Sequence, residues 1–352
     1  MNVSCPSFGP AAARLGLIVC LAWASVCQAT PHNANTDWFQ AAKYGVLMHL
    51  LPTDGKELAL VQAFDVESLA KQLESMGAKY FVITLGQNSG YYIAPNAAYD
   101  RRVGLAPGER CSTRDLPLDL YRALQPRGIR LMLYLPCQTP LEARVQRAFG
   151  LPQGKGNQTI DPAFAAKWSE VIQEWSDRYG DKVAGWWFDG GYSGFAGCDY
   201  DAHVGFTGAI AAQYAAAAKH GNPKAIVAFN PGVIAVRGVE QPVHYVEADD
   251  YTAGELNHPL AAIPAGRWLG GSQWHALTFV GSGWAGRDTR YTDAQWSQWV
   301  RAVADKGGVV TLDMGPNWDP KAGPIGSFAE AQVRQVQAIK SAVRGNIEPL
   351  AQ

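Results

Sequence analysis

The sequence predicts an α/β protein built as a (β/α)8 TIM-like barrel, and three observations carry that expectation. Eight short apolar runs recur along the chain. They are near-continuous rather than alternating, as strands buried on both faces of a parallel sheet are. Segments with apolar residues at three- and four-residue intervals lie between them, and no run is followed by a G-x-G-x-x-G turn, which disfavours the alternative, an open doubly wound sheet.

The runs, in order, are "YGVLMHLLP", "YFVITLG", "RLMLYLPC", "GWWFDGG", "AIVAFNPG", "VHYVEADDY", "RWLGGSQWHA" and "GVVTLDMGP". Helical stretches such as "DVESLAKQLESMGAK", "FAAKWSEVIQEWSDRYG" and "DAQWSQWVRAVADKGG" end in glycine, the residue that tolerates the left-handed conformation after a last helical turn. Two long insertions, 86–117 after the second run and 137–163 after the third, are placed to shape a substrate site.

Residues 1–29 are read as a signal peptide and 30–352 as a single barrel domain. Arg14 precedes an apolar stretch from Leu15 to about Val26 that ends in small residues before Thr30; a membrane anchor is the alternative. The expected location is therefore periplasmic or secreted, with no membrane association after cleavage. Removal of the leader takes Cys5, Cys20 and Cys27 and leaves Cys111, Cys137 and Cys198, so at most one disulfide forms. Thirty basic and 31 acidic residues give a formal charge of −1 without blocks of one sign. Nucleic acid is thus excluded as a partner and a neutral one is expected.

In a barrel the chemistry sits at the C-terminal ends of the strands. Those ends offer His49, Gln87 with Asn88, Gln138, Asp189, Asn230, the cluster Glu247, Asp249 and Asp250, then His275 and Asp313. Asp189 stands out, because Trp186, Trp187 and Phe188 precede it and Gly190 and Gly191 leave space beside it. A carboxylate in apolar surroundings needs a partner or a ligand. Glycoside hydrolysis requires two carboxyl groups, and "VEADDYTAGE" supplies candidates for the second in Glu247, Asp249, Asp250 and Glu255. Tyr91, Tyr92, Trp186, Trp187, Tyr192, Tyr251, Trp274 and Trp284 offer flat apolar faces suited to a sugar, although most of these rings are expected in the core. Asp313 is placed either to orient another side chain or to cap a turn. No metal or cofactor is expected, since no close pair of histidines marks a ligand set; a metal-dependent hydrolase using Glu247, Asp249 and His275 is a lesser alternative.

With these residues in view, the chain resembles the catalytic domain of glycoside hydrolase family 29, the α-L-fucosidase family. "WFQAAKYGVLMHLLPT" is similar to that family's opening segment with His49 on its histidine, "GWWFDGG" to the W-x-D-G segment that carries the nucleophile, and "GGVVTLDMGPNWDPKAGPI" to the late G-x-x-L-L-N-x-G-P segment. The resemblance implies a retaining exo-glycosidase acting on a terminal fucose or related sugar of a glycan, through a covalent intermediate on Asp189. It also implies sugar contacts from His49, Gln87, Asn88, Tyr91, Trp187, Asn230, Asp249, His275 and Trp284. Where the family has Lys-His-His-Asp, this chain has Gly86, Gln87, Asn88 and Ser89, and the chain ends without the β-sandwich common in the family. For the acid/base, one alignment puts His275 at the family's glutamate; the other choice is Glu247, which partial burial beside Tyr245, Val246 and Tyr251 would keep protonated. Glu247 is the preferred reading, and a non-catalytic carbohydrate-binding barrel is the alternative to an enzyme.

Overall fold

A computed structural model describes residues 32–87, 89–138, 142–151, 160–192 and 205–345. The leader read over residues 1–29 lies outside the described residues, as does Cys198; Cys111 and Cys137 are buried free thiols.

The strands are β1 (Tyr44–Met48), β2 (Tyr80–Thr84), β3 (Arg130–Pro136), β4 (Val183–Asp189), β5 (Ile226–Phe229), the short pairs β6 (Ala235–Val236) with β7 (Val239–Glu240) and β8 (Trp268–Leu269) with β9 (Ser272–Gln273), then β10 (His275–Phe279) and β11 (Val309–Asp313). Seven form one curled parallel sheet in the order β10-β11-β1-β2-β3-β4-β5. This is the (β/α)8 architecture that alternating apolar runs and amphipathic helices predict. Helices Val66–Ser75, Pro162–Tyr179, Asp293–Asp305 and Glu330–Arg344 are among those that cover its outer face. Their starts are chemically specified. Asp65, Asp161 and Thr292 accept hydrogen bonds from the first-turn amides of three of them. Gly77 and Gly307, at φ +69° and +82°, follow two of the helix ends.

The sixth barrel position departs from expectation. "VHYVEADDY" is not a strand; residues 249–256 fill the gap between β5 and β10 as an irregular segment. Asp250 N–H donates to the Val227 carbonyl, and Leu277 N–H to that of Gly254. The remaining ladder positions of β5 are met by side chains: Phe229 N–H donates to Asp249 Oδ1 at 2.9 Å and Val227 N–H to Asp250 Oδ2 at 2.8 Å. Two carboxylates thus stand in for strand carbonyls, which is why adjacent aspartates occur where a regular strand would carry apolar residues. Asp249 also accepts from Tyr245 and Val246 N–H, and burial pushes its pKa up to about 8 against the pull of these donors. It is a structural acceptor, not the sugar contact that the resemblance implies. Asp249→Ala leaves these buried N–H groups unpaired and is expected to destabilise the fold by about 3 kcal/mol, read as a lower denaturation midpoint; a shift under a tenth of that would remove the closure role.

The seventh run is also displaced. Gly270 and Gly271, both at positive φ, turn a hairpin between β8 and β9, so the barrel strand starts at His275 instead of ending there. His275 is therefore at the end of the barrel opposite the site. Its Nδ1 donates to the Thr252 carbonyl at 2.8 Å, which leaves Nε2 to accept from the Thr311 hydroxyl at 2.7 Å. Burial lowers its pKa to about 4. It is a neutral core histidine packed by Phe39 and Tyr251, and neither a sugar ligand nor an acid.

Candidate active site

Strand alternation answers why an acid follows three aromatics in "GWWFDGG". Trp186 and Phe188 point outward into the helix layer, whereas Trp187 belongs to the barrel interior, and Asp189, two residues on, shares its face. The Trp187 indole N–H donates to the Ala253 carbonyl at 3.1 Å and its ring stacks on Tyr134 at 5.1 Å. Asp189 is thereby held at the mouth of a cavity of about 330 Å3, lined by His49, Gln87, Tyr134, Trp187, Asp189, Tyr192, Glu255 and Trp284, with Leu51, Leu277 and Ala285. Its volume is that of a small-molecule site.

Four neutral donors converge on the Asp189 carboxylate. The Tyr134 hydroxyl and Gln87 Nε2 (3.1 Å) reach Oδ2; the Tyr192 hydroxyl (3.1 Å) and Asn230 Nδ2 (2.9 Å) reach Oδ1. Burial, then the charge of Asp189, holds the Tyr134 phenol well above its ordinary pKa, so it stays a donor. Dipoles aimed at a carboxylate stabilise its charged form.

The second carboxyl is Glu255, not Glu247. The Glu247 side chain is 97% exposed, 3.8 Å from His244 Nε2, and has no part in the cavity. Seven residues further on, Gly254 adopts φ +64° so close to β10 that a Cβ there would stand 2.0 Å from the His275 carbonyl oxygen, and this close approach precedes Glu255 at the barrel mouth. Asn230 Nδ2, already bound to Asp189, donates also to Glu255 Oε2 at 2.6 Å. One nitrogen at 2.9 and 2.6 Å limits those two oxygens to 5.5 Å of separation. Burial, and then the neighbouring charge of Asp189, raise the pKa of Glu255 to about 7.

His49 forms the opposite wall. Its Nδ1 lies 2.8 Å from Asp313 Oδ1, and Asp313 Oδ2 accepts from Ala285 N–H at 2.7 Å. Asp313 thus orients the imidazole and the loop carrying Trp284, whose ring meets His49 edge-on at 5.6 Å. Burial opposes protonation of His49, but Asp313, Asp189 and Glu255 outweigh it and raise its pKa. The imidazole thus faces the two carboxyls of the cavity.

Of the residues singled out from the sequence, the cavity brings together Asp189, His49, Gln87, Trp187 and Trp284 in its lining, and Asn230, fully buried, reaches Asp189 and Glu255 from behind it. Tyr91 stands outside its lining, under the Arg110 guanidinium at 4.7 Å, and Asn88 lies outside the described residues. Glu247, Asp249 and His275 are scattered over solvent, the β5 edge and the barrel floor. Among the described residues no three His, Cys, Asp or Glu side chains gather as a metal-binding group. Sequence reasoning missed Tyr134, whose signal was its place two residues from Met132 on the inward face of β3.

Residues 56–339, well over half of the chain, match the family model described as alpha-L-fucosidase. The chain belongs to the alpha-L-fucosidase family. Membership places it among the glycoside hydrolases. No curated protein matches it significantly in sequence. Among solved structures it is similar to the endo-fucoidan hydrolase MfFcnA4 of glycoside hydrolase family 107 (TM-score 0.67, 17% identity, covering 90% of this chain and 55% of that one). It is similar also to the endo-fucoidan hydrolase P5AFcnA of the same family (0.66, 16%, 91% and 95%), and to the alpha-L-fucosidase AlfC from Lactobacillus casei in complex with alpha-L-fucose product (0.58, 16%, 89% and 98%). At these identities the likeness establishes the fold. The chain spans about half the length of MfFcnA4. In the cavity Gln87 supplies an amide donor to both Asp189 and Tyr134.

Proposed function

We propose that the protein is a fucose-cleaving, retaining exo-glycosidase with Asp189 as nucleophile and Glu255 as acid/base. The observation that carries this reading is the shared Asn230 nitrogen, which keeps one oxygen of each carboxyl within 5.5 Å of the other. Retaining enzymes work with carboxyl groups about 5 to 5.5 Å apart, whereas inverting ones leave room for a water between them.

In the first step an Asp189 oxygen attacks the anomeric carbon, the bond to the leaving oxygen breaks, and Glu255 delivers its proton to that oxygen. Once Asp189 is an uncharged ester, its repulsion on Glu255 disappears and the glutamate becomes more acidic. Glu255 then takes a proton from water, the oxygen of that water bonds to the anomeric carbon, and the ester opens to regenerate Asp189. Trp187, Trp284, Leu51 and Leu277 provide apolar faces for a sugar ring and a deoxy carbon. Among the described residues no Lys or Arg lines the cavity, where two carboxyls face a single imidazole, which favours a neutral sugar over a sulfated or acidic one in this position.

The non-catalytic alternative is disfavoured by the same pair. Two half-buried carboxyls held by one amide are costly to the fold, and such pairs with separated pKa values cluster at sites that carry chemistry. The apolar stretch within residues 1–29 supports action in the periplasm or outside the cell. The test is hydrolysis of an aryl α-L-fucoside, with aryl galactosides and sulfated fucosides as comparisons. Glu255 must be protonated to act, so kcat/KM is expected to fall about tenfold per pH unit above an alkaline limb near pH 7. No turnover of any aryl glycoside, or a rate still rising through pH 8, would remove the reading.

A further inference from the structure

We propose that Asn230 is a positioning residue for this reaction, setting the distance between Asp189 and Glu255 and directing the acidic proton of Glu255 onto Oε1. The inference rests on the functional reading above and goes beyond a sugar contact.

Asn230 follows β5 directly and is fully buried. Its backbone N–H donates to the Phe188 carbonyl at 2.8 Å, so it is tied to the strand that carries Asp189. Its side-chain Oδ1 accepts from Gly232 N–H at 3.0 Å. A carbonyl oxygen must face that donor, which fixes the amide orientation and turns the NH2 group toward the carboxyls. That group has two hydrogens, and one goes to each acid. Gly191 permits the arrangement, because a Cβ there would stand 3.1 Å from the Asn230 carbonyl.

An amide suits this place better than a cation. Lys or Arg between the carboxyls would draw both into the ionised form and remove the acid. Two apolar groups would leave the anions facing each other undivided. The amide satisfies one oxygen of each without adding charge, and the groups that otherwise face Glu255 are Asp189 on β4, His49 after β1 and Glu240 on β7. An N–H bound to Oε2 favours that oxygen as the carbonyl, since a carboxylic hydroxyl oxygen is the weaker acceptor. The proton then resides on Oε1, the oxygen Asn230 does not engage.

Asn230→Ala removes a donor that favours ionised Glu255. Titration of 13C-carboxyl-labelled glutamate by NMR, which needs no substrate, is expected to show the Glu255 midpoint moving upward, by roughly tenfold in proton affinity. On an aryl fucoside, kcat is expected to fall about 10- to 100-fold with KM changed less than about threefold, and the alkaline limb to move up with the NMR midpoint. Asn230→Ser, too short to reach both acids, is expected to behave alike and covers the case in which the alanine variant does not fold. A midpoint unmoved in the folded variants overturns the proposal, even where activity drops. A wild type without activity whose Glu255 midpoint nevertheless moves in the variants supports the amide's hold on the pair and overturns the enzyme reading instead.

Discussion

Asp189→Ala is expected to lower kcat on an aryl α-L-fucoside by about four orders of magnitude, as loss of a nucleophile does in enzymes with covalent intermediates. The variant should stay folded. Tyr134, Gln87, Tyr192 and Asn230 lose an acceptor, but the first three line the cavity and Asn230 keeps Glu255, so the cost is about 1 to 3 kcal/mol in all. Relief of repulsion between the two carboxyls offsets part of that cost. A small anion such as azide should occupy the vacated space and restore part of the turnover, with a glycosyl azide of inverted configuration as product. Residual activity should also show its alkaline limb below the wild-type position, because the charge that raises the Glu255 pKa is gone. Activity within tenfold of wild type would take Asp189 out of the mechanism.

Glu255→Gln is expected to cost about 10^2- to 10^4-fold on substrates with a poor leaving group, and much less on a dinitrophenyl fucoside, whose leaving oxygen needs no proton. The alkaline limb should vanish with the acid. Stability should move the other way. The folded-state pKa of Glu255, about 7, lies above the ordinary value, so the folded protein holds a proton that the unfolded chain releases between roughly pH 4.3 and 7. Stability from this group is complete below that window and declines as pH rises through it. The glutamine variant has no such loss, and its unfolding free energy should match wild type near pH 4 and exceed it above pH 7, by at most about 4 kcal/mol, read as a higher denaturation midpoint. Equal midpoints at both pH values would mean that Glu255 is ionised throughout, and so not the acid.

The barrel was legible wherever burial alone makes a strand. β1 to β5 and β11 are continuous apolar runs, and their pairing partners follow from parallel order. The sixth and seventh positions were not, for local reasons. Asp249 and Asp250 complete the edge of β5 through their side chains, so apolar content there signals a closing segment instead of a strand. Gly270 and Gly271 turn a hairpin inside the seventh run, which moves the strand onward and carries His275 from the expected mouth to the floor. The wrong choice of acid has the same root. Assuming a sixth strand ending near Val246 puts Glu247 at its tip; with the segment running on to residue 256, the residue at the mouth is Glu255.

What the sequence by itself determined was the parallel barrel, the placing of Asp189 at the end of an aromatic strand, and the polar set His49, Gln87, Asn230 and Trp284 around it, because strand period and strand ends are local properties of a chain. What only the tertiary structure decided was which second carboxyl faces Asp189 and what separates them. That pairing depends on Asn230 bonding to residues 41 and 25 positions away, and on a glycine pressed against a neighbouring strand. No spacing along the chain encodes a distance between side chains that meet only when the barrel closes.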